Sequence, residues 1–199
     1  MHKWFLMGLG VLAGLVLALG LFFSRPYTLR GSVIQDPTTA PQIEMTDTNG
    51  RPFNLAEQQG KLVLLFFGYT SCPDVCPATL AQWRQLHDQL GDKADEVVFV
   101  YITVDPDRDT PERVREHLAL FNPDFVGLTG SEEELQPVWA NYWVYREIQD
   151  DQPTALGYLV AHSAHTYVID RQGRLRMTFA YGTNVEDMEA DIRFLLKEG

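Results

Sequence analysis

An α/β domain, with helices layered over a mixed sheet, is what this 199-residue chain predicts, and three observations carry that reading. Leu62-Val63-Leu64-Leu65-Phe66-Phe67 and Val97 to Val104 are continuous apolar runs of strand length, as central strands buried on both faces require. Each is followed by a segment whose apolar residues recur at helical spacing. The C-terminal part then changes to two short strands joined through Asp170-Arg171-Gln172-Gly173, and a last amphipathic helix.

In chain order, Trp4 to Phe23 comes first, twenty residues without a charge. That matches the roughly 20 residues with which an α-helix crosses a bilayer. A cleaved signal peptide would have a shorter apolar core, about 7–15 residues, and a small-residue cleavage site. Ala18-Leu19-Gly20 is a poor one, and no cysteine follows it for a lipid anchor. Residues 1–24 therefore read as an uncleaved transmembrane anchor. Lys3 lies before the span, and Arg25 and Arg30 lie after it, so charge alone leaves its orientation open. Residues 25–41, with Pro26, Gly31, Pro37 and Pro41, read as a linker, and 42–199 as one domain.

Within that domain Gln42 to Thr46 alternates, and Asn49-Gly50 is a strong hairpin signal before Pro52-Phe53. After the first buried strand, Gly68 to Cys76 is a loop. From Ala78 a helix carries Leu80, Trp83, Leu86 and Leu90 inward. Val97 to Val104 follows as a strand. Thr110-Pro111-Glu112 then opens a helix with Val114, Leu118 and Phe121 on its core face. Phe125 to Leu128 is a short strand, and Ser131 to Glu134 has capping-box spacing ahead of Leu135, Val138, Trp139 and Tyr142. Tyr145 to Gly157 is polar, a loop or a hairpin. Thr166 to Ile169 and Leu175 to Phe179 pair antiparallel, and Asn184 caps a helix that turns Met188, Ile192 and Leu195 inward. This is the order of a thioredoxin-like domain with an N-terminal β-hairpin, preceded by a single transmembrane helix.

A net charge of −11 argues against nucleic acid as a partner, since such a surface repels phosphate. Chemistry concentrates instead in Cys72-Pro73-Asp74-Val75-Cys76-Pro77, which holds both cysteines of the chain. Three residues separate them, so helix-like backbone turns both sulfurs to one side. Any intramolecular disulfide must be Cys72–Cys76. Pro77, at or near the first helical position, leaves unpaired N–H groups there, and a thiolate beside them is stabilised. A thiolate serves equally as nucleophile and as ligand for soft metals. An iron–sulfur cluster would need four cysteines. A buried inert pair is the bland alternative, and the spacer is one residue longer than that of thioredoxin-type redox motifs.

Three segments carry a resemblance. Phe67 to Pro77 (FGYTSCPDVCP), Val104 to Glu112 (VDPDRDTPE) with Phe125 to Gly130, and Tyr158 to Ser163 (YLVAHS) leading into Thr166 to Asp170 stand in the order of the Sco/SenC copper chaperones. The likeness spans about 42–197. It implies one copper ion, Cu(I) or Cu(II), bound by Cys72, Cys76 and His162. It further implies a task at cytochrome c oxidase subunit II, whose binuclear copper site such proteins help metallate. Delivery of copper and reduction of that subunit's cysteines both belong to the family, which makes an upstream copper donor or thiol reductant an expected partner. With the anchor, the expected location is the inner (cytoplasmic) membrane, single-pass, with the C-terminal domain in the periplasm. Ala161 stands where many relatives carry Asp, which removes a carboxylate beside the site.

Other residues read more plainly. His165, three residues beyond His162, would face away from it in an extended segment. His87 and His117 lie on helices. Asp105 to Asp109 reads as a polar loop in which Asp109 or Thr110 caps the next helix. Asp74 is a turn residue or an acceptor near the thiols, and Trp83 and Trp139 are core. Two enzymatic alternatives use the same cysteines: a general periplasmic thiol–disulfide oxidoreductase with Cys72 attacking, and a thiol peroxidase.

Overall fold

The computed structural model describes residues 27–154 and 157–198, together with Met7, Gly14 and Leu15; for 151–154 it describes the backbone. The proposed span, Trp4 to Phe23, falls almost wholly outside these residues. Among the described residues no helix is long and apolar enough to cross a membrane.

Six strands form the main sheet in the order β1-β10-β9-β4-β5-β6. Its centre is β4 (Leu62–Gly68), parallel to β5 (Val97–Thr103) and antiparallel to β9 (Thr166–Ile169). Every residue of β4 is buried, which explains a sequence with no polar alternation. Outward from it, β6 (Val126–Leu128) extends the parallel side, while β10 (Leu175–Phe179) and β1 (Ser32–Val33) extend the antiparallel side. The predicted N-terminal hairpin is a separate pair, β2 (Glu44–Thr46) and β3 (Pro52–Asn54), turning through Gly50 at φ 77°. This is the thioredoxin-like arrangement.

Helices cover both faces. On one, α1 (Val75–Leu90) buries Leu80, Trp83, Leu86 and Leu90. Trp83 meets Phe66, Phe99 and Phe125 edge-on, and its Nε1 donates to Thr166 Oγ1 at 3.2 Å. Beside it α4 (Val185–Glu198) buries Met188, Ile192 and Leu195, and Asn184 Oδ1 accepts from Glu186 N at 3.1 Å as the expected cap. Thr110 caps α2 (Pro111–Ala119) with Pro111 first, and Ser131 and Glu134 form a full capping box on α3 (Glu132–Asn141).

At its far end α3 closes in a Schellman arrangement. Trp143 N donates to Ala140 O at 3.1 Å and Val144 N to Trp139 O at 2.9 Å. The left-handed residue this motif requires, usually glycine, is Trp143 at φ 52°. A bulky side chain in that conformation costs about 1–3 kcal/mol.

From Tyr27 onward the stretch expected as a linker is bound along the domain. Asp191 of α4, fully buried, accepts from Tyr27 Oη at 2.6 Å and from the N–H groups of Arg30 and Gly31 at 2.9 Å each. Tyr27 also stacks on Phe194 with ring centroids 4.5 Å apart. Gly31 lets the chain lie close there: a Cβ would come within 2.2 Å of Met177 Cε and 2.9 Å of the Phe179 ring, so both side chains would have to shift. Beyond β1 the chain bridges Thr39 to Arg174 and buries Ala40.

Candidate metal centre

The polar stretch after Tyr145 is a hairpin outside the main sheet, β7 (Arg146–Thr154) paired with β8 (Gly157–His162). It ends on His162, beside the loop that leaves β4 for α1. Cys72 lies in that loop, half-buried, and Cys76 is the second residue of α1, fully buried. The helix begins at Val75, so Pro77 is its third residue, slightly deeper than expected. Asp74 occupies the N-cap position without capping by its side chain. Cys72 Sγ takes that role, accepting from Cys76 N at 3.4 Å.

Cys72 Sγ, Cys76 Sγ and a ring nitrogen of His162 all lie within 4.8 Å of one another. Cys76 Sγ and His162 Nε2 are 3.4 Å apart, and His162 Nδ1 is 3.0 Å from Ser163 O. A carbonyl only accepts, so Nδ1 carries the proton and Nε2 turns its lone pair to the sulfurs. The ring is held edge-on between Phe66 and Tyr69. Tyr69 Oη accepts from Val160 N at 3.3 Å, and burial pushes the phenol up to about 12. A cleft of about 300 Å³ opens at Cys72 and His162, walled by Tyr69, Pro73, Val75, Leu159 and Ala161, with Cys76 buried behind it.

The two thiols are electrostatically unequal. The hydrogen bond from Cys76 holds the Cys72 thiol well below its ordinary value against the opposing effect of burial, with the N–H groups of Asp74 and Cys76 adding to it. Burial pushes Cys76 up, and the Cys72 thiolate beside it pushes the same way. The site thus presents an outer thiolate, an inner thiol and an imidazole lone pair.

Carboxylates first read as a polar loop hold this geometry. Asp109 is buried and does not cap α2. It accepts from Thr70 N at 3.1 Å, Thr70 Oγ1 at 2.5 Å and Thr103 Oγ1 at 2.7 Å, which fixes the loop ahead of Cys72. Burial raises its pKa. Asp105, fully buried, pairs with Arg108 Nε and accepts from Tyr158 Oη at 2.7 Å. Arg108 lies 3.7 Å over the Tyr158 ring and donates to Tyr158 O at 2.9 Å, tying β8 to the core. No spacing in the sequence marked these residues as buried.

His165 is exposed and outside the cluster. The reason differs from the one expected: β8 ends at His162 and β9 begins at Thr166, so the intervening residues are not extended strand. His87 rests against Phe99 and Phe125, His117 against Tyr101 and Phe121, and Trp83 and Trp139 are core.

The model of the SCO1/SenC family matches residues 32–197. The chain belongs to the SCO1/SenC family. Among family relatives, an SCO2-like protein of Rickettsia conorii is 37% identical over 154 residues, covering 76% of this chain and 74% of that one. The solved structure of Bradyrhizobium japonicum ScoI with copper bound is 36% identical, with a TM-score of 0.72 over 80% of this chain and 100% of that one. Yeast Sco1 with copper bound is 27% identical, with a TM-score of 0.73 over 82% and 91%. In this SCO1/SenC chain the donors suit a soft, low-coordinate ion, since thiolates and imidazole together favour copper or zinc over hard cations. Their spacing fits as well. Sulfur and nitrogen bound to one ion at about 2.3 and 2.0 Å, the zinc values, would be about 3.5 Å apart, close to the 3.4 Å between Cys76 and His162.

Proposed function

We propose that this chain is a membrane-anchored copper-binding protein of cytochrome c oxidase assembly, holding one copper ion on Cys72, Cys76 and His162. Its task is to help metallate the binuclear copper site of subunit II, by handing over copper, by reducing that subunit's cysteines, or by both. The observation that carries the reading is the meeting of a distant histidine, its lone pair oriented by Ser163, with both cysteines of the chain. Copper-bound relatives with the same fold support the choice of metal. The uncharged run from Trp4 to Phe23 supports an anchor in the inner membrane, and a working thiol pair suits a periplasmic domain with a copper donor or thiol reductant upstream.

Copper is cargo in this scheme. The Cys72 thiolate, half-buried at the cleft, makes the first bond; Cys76 joins by releasing its proton, and His162 Nε2 completes the set. Three protein donors leave room for an incoming ligand of the acceptor, which transfer requires. In the reductive role the Cys72 thiolate attacks one sulfur of a client disulfide and expels the other as a thiolate. Cys76 then attacks Cys72, releasing the second client thiolate and leaving a Cys72–Cys76 disulfide. Two electrons pass to the client, and the upstream thiol reductant returns them. The half-exposed, acidic Cys72 thiol is what favours general thiol–disulfide exchange as the second reading.

Cu(I) affinity, measured anaerobically by competition with a chromophoric chelator, separates the two. His162→Ala is expected to weaken binding by at least about tenfold, or 1.4 kcal/mol. Equal affinities would remove the three-ligand copper site and leave the oxidoreductase.

A further inference from the structure

We infer that Trp143 is the centre of a docking surface for the protein that receives the copper. The residue is 77% exposed, on a backbone at φ 52° where the Schellman turn ordinarily takes glycine. An exposed aromatic that burdens the fold without joining the core has its use outside the fold. Two residues on, Tyr145 is 57% exposed. This patch is joined to the metal centre through one residue. Tyr145 N donates to Ser163 Oγ at 3.0 Å, Ser163 N donates to Tyr145 O at 3.1 Å, and Ser163 O holds His162 Nδ1.

Position and charge name the occupant. A partner that takes the ion must bring its own ligand up to Cys72 and His162, next to the Ser163 to which Tyr145 is bonded. Exposed Glu147 and Asp150 follow the aromatic residues along the chain, in a protein of net charge −11. The matching surface is an apolar patch edged with Lys and Arg. On the function proposed above, on which this inference rests, that protein is the copper-site domain of cytochrome c oxidase subunit II.

The test is titration of the full-length chain, loaded with Cu(I) in a nanodisc, with the soluble copper-site domain of subunit II from the same organism. Trp143→Gly gives the turn its preferred residue, so the variant is expected to melt at the same temperature or a few degrees higher. Its Cu(I) affinity should stay within about twofold of wild type, while its Kd for the subunit II domain rises at least about tenfold, as loss of an aromatic anchor does. A wild-type chain that binds the domain and a variant that binds equally well would overturn the docking surface alone. Failure of the wild type to bind at all would overturn the assembly function, and the surface with it. A blue-shifted Trp143 emission in the nanodisc before any client is added, read as wild type minus variant, would assign the ring to the lipid surface and also overturn the proposal.

Discussion

Cys72 and Cys76 are the same chemical group at different depths, and that difference assigns their roles. Between pH 8 and pH 6 an ordinary thiol loses roughly two orders of magnitude of its thiolate. Because the Cys72 thiol is held low, its iodoacetamide alkylation rate should change by less than about twofold over that range. Cys76, buried and held high, should remain unmodified in the same peptide map. Gly68 is a second residue with a sharp expectation. A Cβ there would meet Phe66 Cε1 at 2.7 Å, Tyr101 Cε2 at 2.9 Å and Cys76 Sγ at 3.1 Å. Gly68→Ala should therefore cost about 1–3 kcal/mol in chemical denaturation and disturb the inner sulfur. The cysteines declared themselves in the sequence by number and spacing. His162 did not: five histidines are present, and only the motif around this one distinguished it. Asp105 and Asp109 were hidden for another reason. Carboxylates in a Pro-containing loop look solvated, and only the partners supplied by Thr70, Thr103, Arg108 and Tyr158 make their burial tolerable.

Elements with strong periodicity were legible and those held by distant partners were not. The runs that became β4 and β5, and the caps at Thr110 and Ser131, carry their signals locally. Two-residue β1 has no such signal, since its place is fixed by pairing with β10 and by Asp191 some 160 positions away. The β7–β8 hairpin is mostly polar because it covers the core only in part, so its sequence left loop and hairpin equally open. It is also attached by side chains more than by a ladder, which gives a test. Tyr158→Phe removes the hydroxyl donor to buried Asp105 and should cost about 1–2 kcal/mol. Faster amide exchange should then appear along Gly157–His162, with Leu62–Gly68 unchanged. Asp191→Ala should cost about 2–3 kcal/mol and release the amides of Arg30 and Gly31, with no change at the hairpin.

For the molecule as a whole, an ion that joins β8 to α1 ties two separately built pieces together. Bound copper should stabilise the fold by mass action, about 4 kcal/mol when free Cu(I) exceeds Kd a thousandfold. Melting with and without chelator should show that gain in the wild type and only a small part of it in His162→Ala. The clasp around Asp191 carries a practical consequence for anyone wishing to work without the uncharged run from Trp4 to Phe23. A soluble fragment cut at residue 32, just where β1 begins, would discard the hydroxyl and both amides that neutralise a carboxylate sealed beneath them. It would lay that carboxylate open to water, lose its hydrogen bonds, and misrepresent the stability of the natural protein. The cut belongs ahead of Tyr27.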